Sequence, residues 1–227
     1  MSGAVSSGSM TAAFFDVDHT LLAVNSGSRW LRHRWRTGKL RPLRAVQALG
    51  WLLRYRLALL DLEAMTKRAA GDYRGDSAAA LDAEVREWFA RELVAHVCTL
   101  GRTRIAEHRA KGHVIALLTS GTQFSARPLA ELLAVEHVLC TELEVDDGRL
   151  TGRHLPPACA GPGKVVHAER FAAARDIDLS QSYFYTDSYS DLPMLERVGF
   201  PRIINPDPRL RRCARVRGWE VETWTAA

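Results

Sequence analysis

The sequence predicts an α/β fold on a parallel sheet, interrupted by a long helical insertion and a short β-hairpin. Three observations carry this. Five short apolar runs show little polar alternation, the pattern of strands buried on both faces. Helical stretches near 101–111, 123–134, 164–175, 190–197 and 207–216 separate most of them, as crossover helices separate parallel strands. Finally, roughly a hundred residues part the first run from the second, far more than one crossover needs.

In chain order, residues 1–10 (MSGAVSSGSM) are small and polar and read as a loose tail with no basic or apolar signal-peptide region. Ala12–Asp16 is the first strand, ending in an acid. Residues 22–100 read as helical throughout, with Pro42 suited to a helix start and Asp76/Ser77 to an N-cap; an inserted cap of about four helices is expected. His113–Thr119 is the second strand and Val138–Thr141 the third. A smaller insert over about 141–160 holds LEVDDGRLTG, a hairpin turning at Asp147-Gly148. The loop PPACAGPG then leads into Lys164. Ser182–Asp187 and Arg202–Asn205 complete the set. The core is thus expected over 11–21 and 101–227, with the cap at 22–100.

The 227 residues are 47% hydrophobic and 25% charged, which suits a globular protein and excludes disordered, collagen-like and disulfide-dense classes. Cys98, Cys140, Cys159 and Cys213 form no CxxC and read as incidental thiols of a reducing compartment. The apolar run from Ala45 to Leu62 is broken by Gln47, Arg54, Arg56 and Asp61, a poor membrane span. A cytoplasmic protein is expected. The net charge is +5, but residues 26–70 carry +9 and the remainder −4.

The chemistry concentrates at strand ends, where open α/β sheets bind ligands. FFDVDHTLL ends a strand in Asp16, with Asp18 and Thr20 following. A carboxylate there can attack phosphorus, and its neighbour can protonate the leaving oxygen and later activate water. Two acids so close call for a cation, and Mg²⁺ suits carboxylates plus phosphate oxygens. The run Thr119-Ser120-Gly121-Thr122 ends the second strand before a helix. Its hydroxyls and amides could bind phosphate, cap the helix, or both. Lys164 opens a helix and could neutralise a phosphoryl oxygen. YFYTDSYSDLPML adds Asp187 and Asp191.

In this order, FFDVDHT, LLTSGT, GPGK and YTDSYSD resemble the four motifs of haloacid dehalogenase-superfamily phosphatases, over about residues 11–222. The helical insert and the hairpin before the lysine resemble the phosphoserine-phosphatase-like branch, subclass IB. The resemblance implies a Rossmann-like core with an all-helical C1 cap. It implies Asp16 as nucleophile and Asp18 as general acid/base. Mg²⁺ would be held by Asp16, Asp187 and the backbone carbonyl of Asp18, with Asp191 supporting the metal through water or holding Lys164. Thr119 or Ser120 supplies the phosphate-binding hydroxyl, with Gly121 beside it, and Lys164 contacts phosphate and nucleophile. The branch's usual Gly-Asp in motif four is Thr186-Asp187 here.

Phosphoserine phosphatases generally carry an acid nine positions after the nucleophile, where this chain has Asn25. Asn25, Arg29 and Arg32 are the candidate substrate contacts. The arginines at 34, 36, 41, 44, 54 and 56, with Trp30, Trp35, Trp51 and Tyr55, suit an amphipathic cap with Trp and Leu inward and Arg outward. Contact with anionic lipid is the weaker use of that surface. The expected activity is Mg²⁺-dependent hydrolysis of a small phosphorylated metabolite through an aspartyl phosphate, by a monomer or homodimer. Phosphoryl transfer to another alcohol, and a non-catalytic module binding lipid or nucleic acid, are the alternatives; no nucleic acid is expected.

Overall fold

The computed structural model describes residues 9–39 and 62–226. A six-stranded sheet is formed by β1 (Ala12–Phe15), β2 (Val114–Thr122), β3 (His137–Thr141), β6 (Tyr183–Thr186), β7 (Phe200–Ile204) and β8 (Val221–Glu222), in spatial order β3-β2-β1-β6-β7-β8. Every pairing is parallel. The missing polar alternation has a direct cause. Along β1, Ala12 and Phe14 join one buried apolar cluster, with Phe184, Ile203 and Leu210. Ala13 and Phe15 join the other, with Leu117, Tyr185 and Trp224. Phe15 stacks on Tyr185 at 4.5 Å, so strand and ring packing agree in register.

The crossover helices are α4 (Thr99–Ala110), α5 (Gln123–Leu132), α6 (Pro162–Ala173), α7 (Leu192–Leu195, after a 3-10 turn at Tyr189–Asp191) and α8 (Pro208–Arg217). Between β1 and α4 lie α1 (Ser26–Arg36), α2 (Leu62–Gly71), α3 (Ala78–Glu92) and a 3-10 turn at Val94–His96. Ser77 caps α3 by accepting from Ala80 N at 3.3 Å. The expectations for Pro42, Arg41, Arg44, Arg54, Arg56, Trp51 and Tyr55 lie outside the described residues.

The hairpin comprises β4 (Leu143–Asp146) and β5 (Arg149–His154). Asp147 and Gly148 take φ of 44° and 72°, two successive left-handed residues as a type I′ turn requires. The two insertions are stitched together: Gly75 N donates to Leu150 O at 2.8 Å and Leu150 N to Asp76 O at 2.9 Å. Glu63 on α2 accepts from Ala158 N at 3.1 Å and lies 3.1 Å from His154 Nε2.

Three local expectations are corrected. Strand β8 was not foreseen, because two residues carry no readable period. Strand β2 runs on through the hydroxyl loop to Thr122, with a register irregularity after Leu118, and neither Thr119 nor Ser120 caps α5. On α1 the inward face is Trp30 and His33, whereas Trp35 is 54% exposed and Leu31 39%. Arg34 packs over the Trp30 and Tyr73 rings rather than pointing into solvent.

Candidate active site

Asp16 follows the last residue of β1, and its amide donates to Tyr185 O at 2.9 Å, which ties the start of the loop to neighbouring β6. Its side chain meets a lysine 148 positions away. Lys164 sits in the first turn of α6, where Gly163 lets the helix approach the preceding loop; a Cβ there would collide with the Ala158 carbonyl. Lys164 Nζ donates to Asp16 Oδ1 at 2.8 Å and to Asp191 Oδ2 at 2.6 Å. The Thr186 hydroxyl also donates to Asp191 Oδ2, at 2.7 Å. Lys164 and Asp191 are each 2% exposed and Asp16 6%. The Asp191 side chain thus makes the contact with Lys164 that was one of its two expected courses.

Asp187, half-buried at the end of β6, is anchored through its backbone carbonyl, which accepts from Asp207 N at 2.9 Å. Asp207 was missed as a contributor to the site. Its Oδ2 accepts from Tyr189 N at 2.7 Å while its Oδ1 caps α8 through Arg209 N and Leu210 N. The Asp-Pro pair at 207–208 signals the cap but not the second task.

Asp18 reaches the N-terminus of α1. Its Oδ1 accepts from Ser26 N and its Oδ2 from Asn25 Nδ2, both at 2.9 Å. Asn25 Oδ1 caps the same helix by accepting from Ser28 N at 2.8 Å. Asn25, expected at the substrate, therefore spends both polar atoms of its side chain on the protein. In the loop after Leu118, buried Thr119 accepts from Gly121 N at 3.1 Å, Ser120 is exposed, and a Cβ on Gly121 would press on Ser125 Oγ. Arg29 is half-buried and Arg32 exposed, and no hydrogen bond or ion pair links either to Asp16, Asp18 or Lys164.

The charges do not balance. Asp16, Asp187 and Asp191 gather around one ammonium, with Asp18 close enough to Asp16 to be felt. Burial, with Asp191 and Asp18 adding to it, raises Asp16 to about 7 although Lys164 opposes the shift. Burial, then Asp16 and Asp191, raises Asp187 to about 9. Asp18 is raised by burial against the Ser26 hydrogen bonds. Burial works against the charge of Lys164, but Asp16 and Asp191 outweigh it and hold the ammonium above its ordinary range. Such a surplus of buried negative charge fits a divalent cation. Among the described residues no three acidic, His or Cys side chains already converge on one point. Asp16 and Asp187 could hold a cation with a backbone carbonyl from Asp18, leaving the other positions to water and ligand oxygens.

A parallel α/β sheet with paired acids and a lysine at its carboxyl edge is an arrangement in which a carboxylate can serve as a nucleophile. The chain belongs to the haloacid dehalogenase-like hydrolases, whose family pattern it matches over residues 13–196, in their phosphoserine-phosphatase-like branch. It is 28% identical to a histidinol-phosphatase of Neisseria meningitidis serogroup C, covering 92% of this chain and 96% of that one. It is 34% identical to the phosphoserine phosphatase SerB1 of Mycobacterium tuberculosis, covering 95% and 71%. A solved protein of unknown function from Bordetella pertussis Tohama I superposes with a TM-score of 0.84 at 34% identity, covering 94% and 98%. No described helix is long and apolar enough to cross a membrane.

Proposed function

We propose that the protein is a Mg²⁺-dependent phosphomonoester hydrolase acting on a small phosphorylated metabolite through an aspartyl phosphate on Asp16. The observation that carries this is the buried Asp16–Lys164–Asp191 bridge, with Asp18 two residues beyond the nucleophile. Asp16 Oδ1 is held by Lys164, which fixes the carboxylate for in-line attack and stands ready for charge on the phosphoryl oxygens. Thr119 Oγ1 accepts one bond from its own loop, and its hydrogen can be given to a phosphoryl oxygen. Asp18 gives a proton to the leaving alcohol, then takes one from the water that hydrolyses the acyl phosphate. Mg²⁺, when bound, supplies charge that offsets the carboxylates and the phosphoryl group. Asp16, Asp187 and the Asp18 carbonyl would hold it.

The test is phosphate release across a panel of histidinol, amino-acid, sugar, polyol and lysophospholipid-like phosphates, with Mg²⁺ and with EDTA. Release from one class, lost in EDTA, is the expected result. Release unaffected by EDTA would overturn the metal dependence, and none from any class would overturn the hydrolase reading.

The raised carboxyls give a second expectation. Asp16 at about 7 and Asp187 at about 9 keep protons in the folded chain that the unfolded chain, with carboxyls at 3.8, gives up. Without a cation, stability therefore falls as pH rises from about 4 toward about 9. Cation binding must displace those protons. Mg²⁺ should thus raise Tm clearly at pH 8, by about 2.7 kcal/mol of stabilisation at a hundredfold excess over Kd, and far less at pH 5.5. Thermal unfolding at the two pH values checks it; an equal shift at both would contradict it.

A further inference from the structure

We propose that Asn25 is a positioning residue for Asp18 rather than a substrate contact. The proposal rests on the reading of Asp18 as the group that protonates the leaving oxygen. Each polar atom of the Asn25 side chain makes one hydrogen bond within the protein. Oδ1 takes Ser28 N at 2.8 Å and so caps α1, while Nδ2 gives its hydrogen to Asp18 Oδ2 at 2.9 Å. The next amide, Ser26 N, takes the other Asp18 oxygen at 2.9 Å. The carboxyl of Asp18 is thus gripped on both sides by the first two residues of one helical N-terminus. Its orientation is set by α1, not by the loop that carries it.

The chemistry of the amide explains why this position is not acidic. A carboxylate at 25 would cap α1 equally well, but it has no hydrogen for Asp18 Oδ2 and would repel it. An amide of this reach both accepts from Ser28 N and donates to Asp18, as no carboxylate can. A substrate ammonium therefore finds no carboxylate at this position, and selectivity for the leaving group is built elsewhere.

The test separates positioning from binding by the leaving group. It uses kcat/KM, which reports the steps through phosphoryl transfer to Asp16 and is blind to the later hydrolysis. Phosphomonoesters from p-nitrophenyl phosphate, whose leaving group needs no proton, to alkyl phosphates, whose leaving group does, are compared. The variants are Asp18→Asn, Asn25→Ser and Asn25→Asp. Serine and aspartate cap as well as asparagine, so α1 is retained; aspartate has no hydrogen to give, and serine carries its one hydrogen on a side chain a bond shorter than the amide. Thermal unfolding verifies the retained fold.

For Asp18→Asn, the loss should grow steeply with leaving-group basicity. For Asn25→Ser it should follow the same trend at smaller size, roughly tenfold on alkyl phosphates and less than about threefold on p-nitrophenyl phosphate. Asn25→Asp should lose more than Asn25→Ser on alkyl phosphates, because a repelling oxygen replaces the donor. An equal loss on every ester in both Asn25 variants, carried by KM, would overturn the proposal and return Asn25 to substrate binding. A flat dependence in Asp18→Asn would instead overturn the acid role of Asp18 and the proposal with it. That failure is distinguishable because it appears in Asp18→Asn itself.

Discussion

Replacing Lys164 by methionine should cost about 3–5 kcal/mol of stability near pH 7, the usual penalty for stripping one partner from a buried ion pair. Asp16 and Asp191 lose the ammonium that each meets within 2.8 Å. Methionine fills the space of the aliphatic stem but offers nothing to a carboxylate. Asp16, which burial already raises to about 7 against the pull of Lys164, then holds its proton to a still higher pH. The folded variant accordingly binds more protons than its unfolded chain, and its deficit shrinks as pH falls toward about 5. Urea unfolding at pH 5 and pH 8 checks the sign; a deficit independent of pH would mean that the carboxylates find another partner. Phosphate release should fall by about 10²–10³-fold, as when a preorganised charge is removed from a transition state.

Asp16→Asn is expected to abolish phosphate release, by roughly 10⁴-fold or more, because an amide can neither attack phosphorus nor carry the acyl phosphate. Its effect on folding should be opposite in kind to that of the lysine change. The variant removes a carboxylate that burial already pushes up to about 7, while Asp191 still accepts from Lys164 at 2.6 Å. Stability should change by no more than about 1–2 kcal/mol. Rapid-quench labelling should find no acyl phosphate on this variant. Activity above about a hundredth of the parent would exclude Asp16 as the nucleophile.

What the sequence made legible, and what it did not, follows from the range of each interaction. The strands were visible because both faces of β1 are apolar, and Asp16 stood out by ending such a run. The hairpin was readable because Asp147-Gly148 suits two successive positive φ angles. Lys164 was locatable because a Gly-Pro-Gly loop opens its helix. Its double contact with Asp16 and Asp191 joins residues 148 and 27 positions apart, which no local pattern encodes; there the family resemblance carried the argument. Asn25's bond to Asp18 went unread for the opposite reason. The reading weighed what Asn25 replaces at the substrate, while its Ser28 contact, three residues on, announced an N-cap. The Thr186 hydroxyl read only as a departure from Gly-Asp, since its bond to Asp191 appears only when the 3-10 turn at Tyr189–Asp191 brings the acid back beneath it.

The chain leaves the sheet for its helical insertion and returns along two segments lying side by side. Cys98 N donates to Leu21 O and Ala23 N to His96 O, both at 2.9 Å, with Leu22 facing Val97 in antiparallel sense. On the far side, Cys98 bridges Ala226 near the end of the chain. Exit and entry thus form a ribbon rather than two independent tethers. Asp18 is gripped by the helix that begins just beyond this ribbon. A displacement of α1 relative to this ribbon would therefore carry the Asp18 carboxyl with it.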